Sequence, residues 1–258
     1  MDDRIALSIV IPAYKEAHKI AADVEAADAF LATNHIGGEI ILVDDGSPDG
    51  TAQTARDLQR SYSVLRVVSY QRNRGKGHAI AVGMAQARGD FVMFADAGLC
   101  VPYDVAVIGL KMLELDMCDI AHGSRRMRGS IVKAQPFYRR LGSQIFRMLV
   151  YTVVGIPSSI SDTQCGFKIY RRPIAQHLFG QIVTDGFMFD IEVILRALKE
   201  GHRILEFPVL WSNDADTRFN PGSGSLRNLK ELAHIRWALT MERGAPSQRE
   251  AVVVDEVA

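Results

Sequence analysis

Short apolar runs that end in polar residues alternate with helix-period stretches along the first half of this chain, and that alternation leaves few folds open. Residues 7–11, 39–43, 65–70 and 91–95 read as strands, with helices at 16–33, 51–62 and 78–87 between them and another at 101–115. Three βα units in a row predict an α/β fold with a mostly parallel central sheet flanked by helices. Further on, 119–121 and 123–125 read as strand-like, 190–199 as a helix, 204–211 as a strand and 226–239 as a helix, before a frayed tail from about 241 to 258. In such sheets, polar residues at strand C-termini form the ligand-binding edge. Asp44 and Asp45 follow the second strand and Asp96 follows the fourth.

At 258 residues, 48% hydrophobic and 23% charged, the chain is long and apolar enough for one large domain, here expected over 1–240. Residues 1–125 form its nucleotide-binding half and 126–240 its second half. Thirty basic and thirty acidic side chains cancel, so no global field is present to hold a nucleic-acid backbone. Cys100, Cys118 and Cys165 lack CxxC spacing and fit reduced thiols rather than a disulfide framework. The first seven residues carry no apolar run. The longest apolar stretch, 145–156, is broken by Arg147 and falls short of the roughly 20 residues that span a bilayer. The expectation is a cytoplasmic protein that does not cross a membrane.

Two segments carry candidate chemistry. In ILVDDGSPDGT, 41–51 with Ile40 before it, Asp44 and Asp45 can accept hydrogen bonds from a base or ribose, and the helix start behind them presents free N–H groups to anions. Asp49 and Thr51 read equally well as turn and N-cap residues. Asn73, Arg74, Gly75, Lys76 and Gly77 make a glycine-flanked basic loop in which Lys76 can offset phosphate charge; a plain helix-start turn is the alternative. It matches neither the GxxxxGK[ST] nor the GxGxxG pattern, which weakens nucleotide-hydrolase and dehydrogenase readings.

Taken in order, IVIPAYKE from Ile9, VDDGSPDGT, NRGKG, FADAG from Phe94, the Gly123-Ser124-Arg125 run, DTQCGFK from Asp162, FDIE from Phe189 and Pro208 to Trp211 resemble glycosyltransferase family 2. The resemblance spans about residues 7–240 and implies a GT-A fold. It is nearest to the branch that glucosylates dolichyl phosphate, with the mannosylating branch next. It implies that Pro12, Tyr14, Glu16, Asp44, Asp45, Ser47, Asn73, Lys76 and Asp96 bind the donor, a UDP- or GDP-sugar with UDP-glucose favoured. It further implies that Arg125, Arg139, Ser143, Gln164 and Lys168 bind the acceptor phosphate. Asp96, Arg125, Arg139 and Asp190 are the candidate catalytic residues, with Asp190 near the acceptor side but not assigned as base. The family pattern also implies a divalent cation, Mg²⁺ or Mn²⁺, on a second carboxylate two residues after Asp96. Here that position is Gly98, and a further donor position is Cys100, so Asp96 alone remains as metal ligand.

A phosphate acceptor also suits the residues. Attack by a hydroxyl needs a base, whereas a phosphate monoester, with its second pKa near ~6, is already mostly dianionic at neutral pH. Its difficulty is charge, at roughly 4 kcal/mol per like pair ~4 Å apart with an effective dielectric near ~20. Arg125, Arg139, Arg140 and Lys168 are cations that can offset it. Arg139, Arg140 and Arg147 interleave with Phe146, Met148, Leu149, Val150, Tyr151, Val153 and Val154 over about 135–157. That pattern fits a segment lying on a membrane surface or a buried core helix. The rival readings are a family 2 enzyme with a soluble hydroxyl acceptor and a non-catalytic sugar-nucleotide-binding protein.

Overall fold

The computed structural model describes residues 4–132, 151, 154–212 and 221–241. Among them, seven strands form one sheet in the order β3-β2-β1-β4-β7-β5-β8. The strands are β1 (Leu7–Ala13), β2 (Gly38–Asp44), β3 (Leu65–Ser69), β4 (Phe91–Ala95), β5 (Ile120–Ser124), β7 (Phe167–Arg171) and β8 (Ile204–Pro208). β6 (Ile131–Val132) and β9 (Leu210–Trp211) pair with each other in a small parallel ribbon. The helices are α1 (Ile20–Thr33), α2 (Thr51–Gln59), α3 (Lys76–Gln86), α4 (Ala106–Glu114), α5 (Arg172–Gln181), α6 (Phe189–Lys199) and α7 (Pro221–Met241).

Strand pairing is parallel from β3 through β2 and β1 to β4, and again between β5 and β8. β7 runs antiparallel to both β4 and β5. The central strands are covered on both faces, which is why they read as continuous apolar runs rather than alternating ones. Leu7, Ile9 and Ile11 pack with α1 and α4 residues such as Val24, Phe30 and Leu110. Val10, Ile41 and Val43 face the opposite way, toward Ile80 and Val82 of α3 and toward Phe179 and Phe189. A third cluster joins Ile191 and Ile194 of α6 to Leu232 and Ile235 of α7.

The structure departs from the sequence expectations at four places. The first helix starts at Ile20 instead of residue 16, because the backbone N–H groups of Lys15 and Glu16 go to the Ser47 and Thr51 side chains. The two short strands expected around residue 122 are one strand, β5, with His122 fully buried inside it. The 204–211 strand divides at Val209 into β8 and β9, which belong to different sheets. Helix α5 was not expected; Pro173 in its first turn, where no amide hydrogen is needed, is compatible with a helix start. Arg139, Arg140 and Ser143, most of the 135–157 segment and the tail after 241 lie outside the described residues.

Candidate functional site

All the parallel strands deliver their C-terminal ends to one edge, and β7, being antiparallel, delivers its beginning to the same edge. Pro12 and Tyr14 therefore stand beside Asp44 and Asp45, and Asp96 beside the Asp162–Lys168 segment.

Asp45 organises the basic loop. Its carboxylate accepts hydrogen bonds from Tyr70 Oη at 2.8 Å, the Arg74 amide at 2.8 Å, Asn73 Nδ2 at 2.7 Å and the Gly75 amide at 2.9 Å. A buried carboxylate with several donors is well satisfied, so Asp45 and Asn73 fix the basic loop in place. The opposite side of that loop meets the Thr184–Gly186 turn. A Cβ on Gly75, whose φ is +113°, would sit 2.4 Å from the Asp185 carbonyl oxygen, and one on Gly77 would sit 2.7 Å from that of Thr184. Glycine is required at both positions by contact, and at Gly75 by φ as well.

Asp44 is as buried as Asp45, but its partner among the described residues is Ser47, whose amide lies 3.3 and 3.4 Å from its two oxygens and whose side chain also bonds it. Burial pushes its carboxyl upward, against the pull of Ser47. Ser47 also accepts the Lys15 amide at 2.9 Å, Tyr14 is half-buried under the Lys15 ammonium, and Glu16 is buried at the next turn. Asp49 accepts from the Thr51 amide and hydroxyl, so it ties the turn together.

The loop after β4 is the second focus. Asp96 Oδ1 lies 2.6 Å from Lys76 Nζ, on a pair still reached by solvent from the cleft. Burial opposes the Lys76 charge, but Asp96 and, further off, Asp190 outweigh it and hold the ammonium's pKa above its usual value. A Cβ on Gly166 would lie 2.1 Å from Asp96 Cγ, so only glycine lets β7 start against this carboxylate. Gly98 and Leu99 adopt φ of +94° and +50°, and both amides donate to the buried Asp23 of α1 at 2.9 and 3.0 Å. The sequence reading missed Asp23, although its place on the apolar face of α1 beside Ile20, Val24 and Ala27 marked it as a carboxylate with inward work to do.

On the other side of the cleft, Arg125 makes a two-pronged contact with Asp162, Nε to Oδ2 at 2.7 Å and Nη2 to Oδ1 at 2.8 Å. Its guanidinium lies over Trp211, 5.6 Å from the ring centroid. Burial works against the charge of both Arg125 and Asp162, but their mutual bonds prevail in both, so both stay ionised. The Asp96 charge also acts on Arg125, so that carboxylate and guanidinium share one electrostatic site. Glu206 accepts the Ser161 and Asp162 amides at 2.9 and 2.8 Å and so orients Asp162 from behind. Gln164 is half-buried in the next turn, its amide 3.4 Å from Asp162 Oδ1.

Lys168 differs from its expected place at the cleft surface. It is fully buried, ion-paired with Asp190 and donating to the Thr163 carbonyl at 2.9 Å, with Phe94 beneath it. Burial raises the Asp190 carboxyl, and Lys168 and Lys76 oppose the rise. Glu192, in the same FDIE run, is buried and accepts the Val183 and Thr184 amides together with Arg196.

Among the described residues no group of three or more His, Cys, Asp or Glu side chains is arranged to hold a metal ion. Asp96 offers one oxygen donor set, already facing an ammonium; Gly98 offers none and Cys100 offers sulfur. Mg²⁺ is commonly held by one or two carboxylates together with substrate phosphates and waters, so of these three side chains Asp96 is the one that would hold such an ion, and the second carboxylate position, Gly98, supplies no ligand.

A parallel sheet with one inserted antiparallel strand, and a cleft lined by strand-end carboxylates and a glycine-flanked lysine, define an α/β nucleotide-binding protein of the GT-A type. The glycosyl transferase family 2 profile matches residues 8–179, more than half of the chain, and the protein belongs to that family. It is 32% identical to the dolichyl-phosphate beta-glucosyltransferase of Saccharomyces cerevisiae, over 92% of this chain and 76% of that one. The enzyme of the same name from Homo sapiens is 30% identical, over 89% and 74%. Among solved structures, the glucosyl-3-phosphoglycerate synthase of Mycobacterium tuberculosis with UDP superposes with a TM-score of 0.64 at 20% identity, covering 94% of this chain and 81% of that one. That synthase has also been crystallised with UDP and Mn²⁺ or Mg²⁺. A Pyrobaculum calidifontis mannosyltransferase with GDP-Man and Mn²⁺ superposes at 0.58 with 17% identity, covering 95% and 76%. These last likenesses concern the fold.

Proposed function

We propose that this protein transfers glucose from UDP-glucose to the phosphate of a dolichyl or other polyprenyl phosphate, inverting the anomeric centre. The observation that carries the proposal is the placement of two ion pairs at one sheet edge, Arg125 forked on Asp162 and Lys76 on Asp96, near enough that the Asp96 charge acts on Arg125. Cations on both sides of Asp96 suit a reaction in which a phosphate dianion must approach a nucleotide diphosphate. Relatives that are dolichyl-phosphate beta-glucosyltransferases, at about 30% identity over most of the chain, support the same acceptor and sugar.

In this reading the nucleoside lies across the ends of β1 and β2, against Pro12, Tyr14, Asp44 and Ser47. Asp44 has hydrogen-bonding capacity to spare for a base N–H, whereas Asp45 and Asn73 serve by fixing the loop that carries Lys76. The acceptor phosphate lies against Arg125, with Arg139, Ser143 and Gln164 as further contacts. A phosphate oxygen forms its bond to the anomeric carbon as the bond from that carbon to the diphosphate oxygen breaks, and UDP departs with the electron pair. No proton leaves the nucleophile, so no general base is needed. Lys168 is sealed from the cleft and contributes charge rather than contact, and Asp190 serves by keeping it there. No helix among the described residues is long and apolar enough to cross a membrane; the protein meets its lipid substrate from the cytoplasmic face, with residues 135–157 on the membrane surface.

The test is incubation with labelled UDP-glucose or GDP-mannose and a short polyprenyl phosphate, followed by organic extraction. Label from UDP-glucose enters the lipid phase, and Arg125→Ala reduces it by about 100-fold or more. Label appearing instead on water-soluble hydroxyl acceptors defeats the proposal. Liposome flotation of Leu149→Asp and Val153→Asp variants checks the membrane contact; unchanged flotation of folded variants rejects it.

A further inference from the structure

Solved proteins of this fold hold Mn²⁺ or Mg²⁺ beside UDP, yet the loop after β4 is built differently from a cation cradle. Its one carboxylate, Asp96, has the Lys76 ammonium 2.6 Å away. Two residues on, where a second oxygen ligand would be wanted, Gly98 supplies no side chain, and its φ of +94° is one that an aspartate adopts only under strain. The Gly98 and Leu99 amides are both bound to Asp23, which is fully buried, so this backbone shape is anchored from the core. Lys76 is itself held from two sides. Gly75 is tied to Asp45 at 2.9 Å, and Gly77 is wedged against the Thr184–Gly186 turn. Lys76 is also the first residue of α3, whose N-terminal end adds positive potential.

We infer that Lys76 does in this protein what the divalent cation does in those relatives: its ammonium, steadied by Asp96, neutralises the nucleotide diphosphate, and sugar transfer needs no divalent metal. The inference rests on the donor reading given above. Asp96 keeps the ammonium aimed at the diphosphate, as a metal-binding carboxylate would aim its ion. When the bond from the anomeric carbon to the diphosphate oxygen breaks, the departing UDP gains one negative charge, and the positive charge facing it is already in place. A preorganised cation of this kind lowers the barrier without binding or releasing an ion in each turnover.

The experiment uses metal-stripped full-length protein and UDP as the probe. Calorimetry in EDTA and in excess Mg²⁺ gives UDP affinities within about twofold of each other, and Lys76→Met weakens UDP by about tenfold or more in both media, while Lys76→Arg retains most of it. Electron paramagnetic resonance of Mn²⁺ titrated into protein with UDP shows no protein-bound ion. Label transfer to polyprenyl phosphate continues in EDTA at a comparable rate. A tenfold or greater gain in UDP affinity with Mg²⁺, or a protein-bound Mn²⁺ signal that Asp96→Asn removes, overturns the inference. Because the affinity and resonance arms need no acceptor, they decide the role of Lys76 even where the lipid reading fails. Absence of UDP binding in either medium overturns both this inference and the donor assignment. Wild-type and Lys76→Arg protein carry the comparison should the Met variant not fold.

Discussion

Lys76 and Lys168 each hold an aspartate, and their two pairs are close enough for Asp190 to act on Lys76, yet they live in different solvents. The Lys76–Asp96 pair keeps about a fifth and a third of its side-chain surfaces open, whereas Lys168–Asp190 keeps almost none. An open pair can turn part of its hydrogen bonding toward an arriving anion at little cost. A sealed pair cannot, because any partner lost inside the protein leaves a charge with no water to receive it. The same two residue types therefore serve binding at the strand edge and architecture one layer below.

The largest expected effect tests this contrast directly. Lys168→Met strands Asp190 and destabilises the fold by about 3–5 kcal/mol, whereas Lys76→Met costs less than about 1 kcal/mol of stability; urea denaturation followed by circular dichroism compares them. Equal losses would erase the distinction. Gly166→Ala comes next. The new methyl falls 2.1 Å from Asp96 Cγ, so the open pair is pushed out of register and turnover drops by about 100-fold while the sealed pair is undisturbed. Steady-state rates beside a melting curve check it.

Arg125→Lys is a milder probe, since it keeps the charge and loses the fork on Asp162. A fall in polyprenyl-phosphate turnover of about tenfold, with UDP affinity unchanged, places the guanidinium on the acceptor side. A parallel loss of UDP affinity would move it to the donor side. The smallest effect concerns His122, which shares a cross-strand register with Lys168 and is buried with neither ring nitrogen bonded. Burial first, and the Lys168 charge second, hold its pKa well below the usual 6.5. The unfolded chain takes up that proton below about pH 6.5 and the folded one does not. Stability is thus complete above that pH and declines as the pH falls below it, before the carboxylates titrate. His122→Gln flattens the decline between about pH 6.5 and 5 in urea midpoints; identical slopes in both proteins would show that the ring is not the cause.

The strands that end in carboxylates were legible because a doubly covered parallel strand must be apolar along its length and stop where its edge meets water. Asp44, Asp45 and Asp96 could be picked out for that reason, and Lys76 from the glycines that flank it. Nothing local distinguishes Lys168 from a surface lysine: its burial depends on β7 lying between β4 and β5, a pairing of segments more than 70 residues apart for β4. Asp45 likewise looked like a ligand contact and is spent on four donors from the neighbouring loop, which only the folded chain brings near. Asp162 and Glu206 escaped assignment because their work is to orient Arg125 from a third and fourth segment.

β7 reverses direction in the middle of the sheet, a strand of the second half bonded on both sides to strands of the first, β4 and β5. The chain cannot then be severed near residue 125 into two self-sufficient pieces. The leading fragment would expose the facing flanks of β4 and β5 as rows of bare peptide groups inviting other chains to zip onto them, and the trailing fragment would carry a stitch with no cloth. A protein sewn in this way must finish synthesis well past Ser124 before its central sheet acquires its mature shape.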